Sequence, residues 1–125
     1  MNDKIICKLP NDDDILTIYQ KGAKTTAPLN TTNVVACLNF CGLGLGAETG
    51  EVLNEIKGYL HQDKELNKEK VLQELGDVLF YLTCFTQVFD SSLEDIMTLN
   101  MSKRKERFKC HPSSLDGCYK ENSGV

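Results

Sequence analysis

The stretch VLQELGDVLFYLTCFTQVF, Val71–Phe89, decides the fold class. Its apolar residues Val71, Leu75, Val78, Leu82, Phe85 and Phe89 recur at alternating steps of four and three, the period of a helix and not the two-residue alternation of a strand. Asn67 stands ahead of the run as an N-cap. From Val78 to Phe89 apolar residues surround the whole helix, which predicts burial on every side.

Working outward, the same three-four spacing recurs and no strand pattern does. Upstream, Val34, Val35, Leu38, Cys41 and Leu45 lead into Val52, Ile56, Tyr59 and Leu60, predicting a helix from Thr31 or Thr32 to about His61. Gly42, Gly44, Gly46 and Gly50 are its weak point, each costing about 1 kcal/mol relative to Ala in a helix interior, so a kink is expected there. A first helix is read over Asp13–Lys24, capped by Asp12 or Asp13, and Pro28 keeps the following connection from being helical. A last helix starts where Ser91 and Glu94 have capping-box spacing and runs to about Phe108. The expectation is an all-α fold, a four- to five-helix bundle. Its two central helices carry more apolar surface than one short neighbour can cover, which predicts a homo-oligomer.

A chain of 125 residues fits one domain with a real core, read here as residues 1–109 followed by a polar, loose tail over 110–125. The formal charge of −4 argues against a nucleic-acid binder, which would show a basic excess. The N-terminal MNDKIICKLPNDDD lacks the apolar core of a signal peptide, and the charge-free run Thr25–Ala47 is too rich in Asn, Thr and Gly to span a bilayer. The reading is a soluble cytoplasmic protein without membrane partners. Cys37, Cys41 and Cys84 suit small buried hydrophobes in a reducing compartment.

The chain then places Glu48, Glu51 and Glu55 on one helix face after a charge-free run, and Glu74 and Asp77 on another beside an apolar one. Two solvated acidic faces would explain this at small cost. Carboxylates entering apolar surroundings, however, need a counter-charge. A hard divalent cation, Mg²⁺ first, suits such a set of oxygens. A di-iron site would want Glu-x-x-His pairs, and neither His61 nor His111 stands three residues after a Glu. On the last helix Asn100, Lys103, Arg104 and Arg107 share a face able to meet phosphate oxygens, or simply one that suits the helix dipole.

GLGAETGEVLNEIK, Gly44 onward, followed by ELGDVLFYL resembles the paired Glu-x-x-Glu and Glu-x-x-Asp signature of the MazG-like nucleotide pyrophosphohydrolases, members of the all-α NTP pyrophosphatase superfamily. The resemblance extends from Thr32 to Phe108 and includes SLEDIMTLNMSKRKERF, which is similar to the family's final helix. It implies that Glu48, Glu51, Glu74 and Asp77 bind catalytic Mg²⁺, with Mn²⁺ able to substitute, and that Asn100, Lys103 and Arg107 meet the substrate. Glu55, Lys57 and Arg104 stand outside this core set. It further implies a homodimer or homotetramer that splits nucleoside triphosphates into monophosphate and pyrophosphate, in nucleotide-pool sanitation. Within the superfamily the rivals are a dUTP or dCTP pyrophosphatase and a phosphoribosyl-ATP pyrophosphohydrolase. The rival of another class is a non-catalytic helical module that binds metal or nucleotide. Phe40, Tyr59, Phe80 and Tyr81 are read as core aromatics, and Cys110, His111 and Cys118 as an incidental set rather than a zinc site.

Overall fold

The computed structural model describes residues 14–110, the side chains of 108–110 excepted. The described residues form four helices and no strand: α1 (Ile15–Thr26), α2 (Val34–His61), α3 (Lys68–Val88) and α4 (Leu93–Cys110). They fall into two compact units that part between Leu93 and Glu94. The first carries α1 to α3; α4 from Glu94 on belongs to the second and is described by itself. Neither the N-terminal Asp12 and Asp13 nor the tail's His111 and Cys118 lie among the described residues.

Each helix start is set by a side chain that accepts an otherwise unpaired N–H. Of the three consecutive aspartates, Asp14 caps α1, accepting from Thr17 N at 3.0 Å and from Thr17 Oγ1 at 3.0 Å. The helix therefore begins and ends two residues later than expected. Asn33 caps α2 through Ala36 N at 3.1 Å, because Asn30 folds the residues before it into a turn, accepting from Thr32 N and Oγ1. Asn67 caps α3 through Lys70 N at 3.0 Å, as its position predicts. α4 begins at Leu93, so Ser92 and not Ser91 precedes its first residue.

Both long helices are followed by an aspartate in the left-handed region, Asp63 (φ 52°) after α2 and Asp90 (φ 48°) after α3. After α3, Ser91 N donates to Thr86 O, the bond of a Schellman ending, made with aspartate where glycine is commonest. After α2, Lys64 N donates to Gly58 O, one residue further back than that motif, and Gln62 N donates to the same carbonyl. α2 runs unbroken through its glycines, and none of the described glycines has positive φ.

α2 and α3 pack antiparallel along one seam, and the seam fixes everything that follows. Near one end Cys41 and Cys84 meet, both fully buried. Burial first, and the Cys41 thiol second, push Cys84 up to about 11, so both are neutral packing groups. One turn on, Gly44 faces Tyr81 so closely that a methyl group on Gly44 would overlap the ring. Phe40 and Phe80 flank that ring, with centroids 5.5 and 5.3 Å from it. A turn further stand Glu48 and Asp77, and two turns beyond Glu48 the Glu55 carboxylate pairs with Lys70. Cys37, Cys41 and Cys84 are free thiols, as expected.

α1 packs on α3, and Gln87 ties the α1–α2 connection to it: its Nε2 donates to Ala27 O at 3.2 Å and its Oε1 accepts from Leu29 N at 3.5 Å. Two helices cover only part of α3, however. Leu79 and Phe89 are exposed, which corrects the expectation of burial all round within one chain. α2 likewise leaves Val35 (71% exposed), Leu43 (75%), Leu53 and Leu60 uncovered. Among the described residues no helix is long and apolar enough to cross a membrane.

Candidate functional site

At the middle of the seam α2 supplies Glu48 and α3 supplies Glu74 and Asp77, each offering one carboxylate oxygen within 4.8 Å of the others. The i, i+3 spacing puts Glu74 and Asp77 on one face of α3, and the antiparallel register carries Glu48 opposite them. Glu48 and Glu74 are half-buried and Asp77 is exposed, so the group opens to solvent rather than being sealed in the chain. α1 packs on α3 beside this group: the Tyr19 hydroxyl donates to Gly76 O at 3.4 Å, next to Asp77, and after burial the Asp77 charge helps hold that hydroxyl above its ordinary 10.0. Glu51, one turn along α2 from Glu48, is exposed and lies outside the close trio.

The electrostatics agree with the crowding. Partial burial, then the charges of Asp77, Glu74 and Glu51, hold the Glu48 carboxyl above its ordinary 4.5. Three all-oxygen donors that repel one another are what a hard divalent cation would relieve. The donor set fits such an ion.

The raised Glu48 value has a sign for stability. Folded Glu48 holds its proton more tightly than the unfolded chain does, so its contribution favours the fold below the ordinary 4.5 and is lost as pH rises through the raised value. In metal-free protein, Glu48→Gln should therefore gain stability over the parent progressively as pH rises from about 4 toward 7. Thermal melts of both proteins in chelator check this, and a difference that stays flat across that range would refute it.

Two residues of this region are not evident from motif reading. Lys70 stands one turn before Glu74 and forms an ion pair with Glu55, N to O 2.5 Å, which takes Glu55 away from the trio. Its spacing of four from Glu74 was the available signal. Tyr19 reaches Gly76 from α1 through packing alone, and nothing local in the sequence marks it. Lys57 is exposed on α2. Asn100, Lys103, Arg104 and Arg107 are exposed on α4 at helical spacing that gathers them on one face of that helix.

The MazG nucleotide pyrophosphohydrolase domain matches residues 42–111, more than half of the chain. The chain belongs to the MazG family. The matched segment contains every carboxylate of the trio together with Glu51, Glu55 and Lys70, and all of α3 and α4; it takes in α2 from Gly42 on and leaves α1 outside. The MazG chain is also similar to the Gene 37 protein of Mycobacterium phage L5, 30% identical over 98 residues that cover 72% of this chain and 85% of the relative. No solved structure matches it significantly. For a MazG domain the four-helix, strand-free architecture of the described residues is the expected one, and the trio is drawn from the two acidic motifs.

Proposed function

We propose that the chain is a nucleoside triphosphate pyrophosphohydrolase, converting (d)NTP to (d)NMP and pyrophosphate in nucleotide-pool sanitation. The observation that carries the reading is the Glu48, Glu74 and Asp77 trio, set on the α2–α3 seam inside the family-matched segment. These three, with Glu51 one turn away, would hold Mg²⁺, for which Mn²⁺ can substitute. A bound Mg²⁺ neutralises triphosphate charge and supplies an activated water at neutral pH.

The chain's own residues do the rest. An acidic protein repels a polyanion, so the trio directs it to approach only as its metal complex. Asn100, Lys103 and Arg107 on α4 offer donors for phosphate oxygens, Arg107 as a bidentate partner and Lys103 as a point charge. Arg104 shares that face. Exposed Val35, Leu43, Leu53 and Leu60 support a homodimer or homotetramer, since an apolar surface of this extent along one helix is ordinarily covered. Cytoplasmic residence is part of the same reading.

The test is direct. Purified protein is incubated with each common NTP and dNTP, with Mg²⁺ and with chelator, and the products are separated. Monophosphate and pyrophosphate that vanish with chelator are the expected result, and the rates rank the substrates. A strong preference for dUTP, dCTP or phosphoribosyl-ATP would narrow the enzyme to that substrate. Nucleotide binding without turnover on the whole panel would overturn the reading in favour of a binding module.

A further inference from the structure

The α2–α3 seam places a fixed positive charge at the edge of the acidic trio. Lys70 precedes Glu74 by one helical turn and Asp77 by two, so all three lie on one face of α3. Across the seam Glu55 follows Glu51 by one turn and Glu48 by two, and its carboxylate holds the Lys70 ammonium. The acidic ladder therefore ends in a charge pair. Glu55 is the strongest influence keeping Lys70 charged, and Glu74 and then Glu51 add to it, which shows that the ammonium sits within the field of the site.

A flexible four-carbon stem lets an ammonium at this position reach toward either acidic neighbour. Swung toward Glu74 and Glu51, it would neutralise them and repel an incoming divalent ion. Held by Glu55, it stays at the rim. We propose that Lys70 is a resident counter-charge that competes with the divalent ion, and that Glu55 is the positioning residue that parks it outside the site and so sets metal affinity. The proposal builds on the reading of the trio and Glu51 as divalent-ion ligands. It gives Glu55 a role distinct from ligation.

The experiment is Mn²⁺ binding to the full chain at fixed ionic strength, read by the electron paramagnetic resonance of free Mn²⁺, with no nucleotide present. Lys70→Met should tighten binding by about three- to tenfold, as removal of a unit charge near the ion predicts. Lys70→Arg should stay near the parent value. Glu55→Gln should loosen binding by a comparable factor, but should lose most of that effect when made on the Lys70→Met background. Raising salt should shrink each difference, because the Lys70 side chain is exposed to solvent.

Circular dichroism melts confirm that each variant folds. If Lys70→Met and Glu55→Gln both bind Mn²⁺ as the parent does, the pair is a structural tie and the proposal is overturned while the metal site stands. If Glu55→Gln loosens binding equally with and without Lys70, Glu55 is itself a ligand and the parking role is wrong. A parent chain that binds no Mn²⁺ would overturn the metal reading first and this proposal with it.

Discussion

Asp77→Asn is expected to remove triphosphate hydrolysis, with a loss on the order of 10²- to 10³-fold in kcat/KM, while helical content stays unchanged. The structure separates the two effects. Asp77 is exposed, so its replacement opens no cavity, and the amide keeps the volume of the side chain. What disappears is the negative charge on one of three donors within 4.8 Å of one another, the amide keeping only a neutral oxygen, and with it one of the charges that hold the Glu48 carboxyl high. In chelator, Asp77→Asn should melt no lower than the parent, because a like-charge repulsion has been removed. Mg²⁺ should then raise the melting temperature of the parent more than that of the variant, by preferential binding to the folded state. Undiminished turnover in Asp77→Asn would remove the trio from the mechanism.

Gly44→Ala should have the opposite profile, a loss of stability large for one methyl group. In an unobstructed helix the change would stabilise by up to about 1 kcal/mol. Here the new methyl overlaps the Tyr81 ring, and that ring is held between Phe40 and Phe80. Overpacking of this kind typically costs about 1–3 kcal/mol, enough to outweigh the propensity gain. The internal control is Gly42→Ala, where nothing lies within 4 Å and the ordinary stabilisation should appear. Denaturant melts of the pair decide it: equal stabilisation by both substitutions would show that α2 and α3 do not approach at Gly44 as described. On a Tyr81→Leu background the cost at Gly44 should largely disappear, since the two changes share one contact.

The contrast between these glycines shows how far the sequence could be read. Helix existence was legible because the three-four spacing of Val71 to Phe89 and of the α2 residues admits no other period. Helix starts were legible to within a residue or two, as the choice of Asp14 over its neighbours turns on Thr17 offering both N–H and hydroxyl. A single helix over α2 was legible too, but the role of Gly44 was not, because propensity counts it as a cost while the close approach of Tyr81 makes it a requirement. Glu48, Glu74 and Asp77 were singled out by helical spacing and by the motif resemblance, and their oxygens lie close together across the seam. Glu51 had the same motif warrant, yet its separation from the trio depends on how the two helices face, which no single-helix periodicity encodes. The Lys70 pairing was missed for the same reason: it is a statement about register between helices.

That register has a consequence for how the site can change. Cys41 precedes Glu48 by two helical turns, and Cys84 follows Asp77 by two, so the buried thiols lie on the same seam as the carboxylates. The gap across which the acidic oxygens face one another is thus dictated by small atoms lodged elsewhere, in the manner of a shim. A lineage could retune the spacing of these carboxylates by exchanging the shim for a thicker or thinner one. The carboxylates themselves would remain untouched, and an alignment of the acidic motifs alone would record no difference.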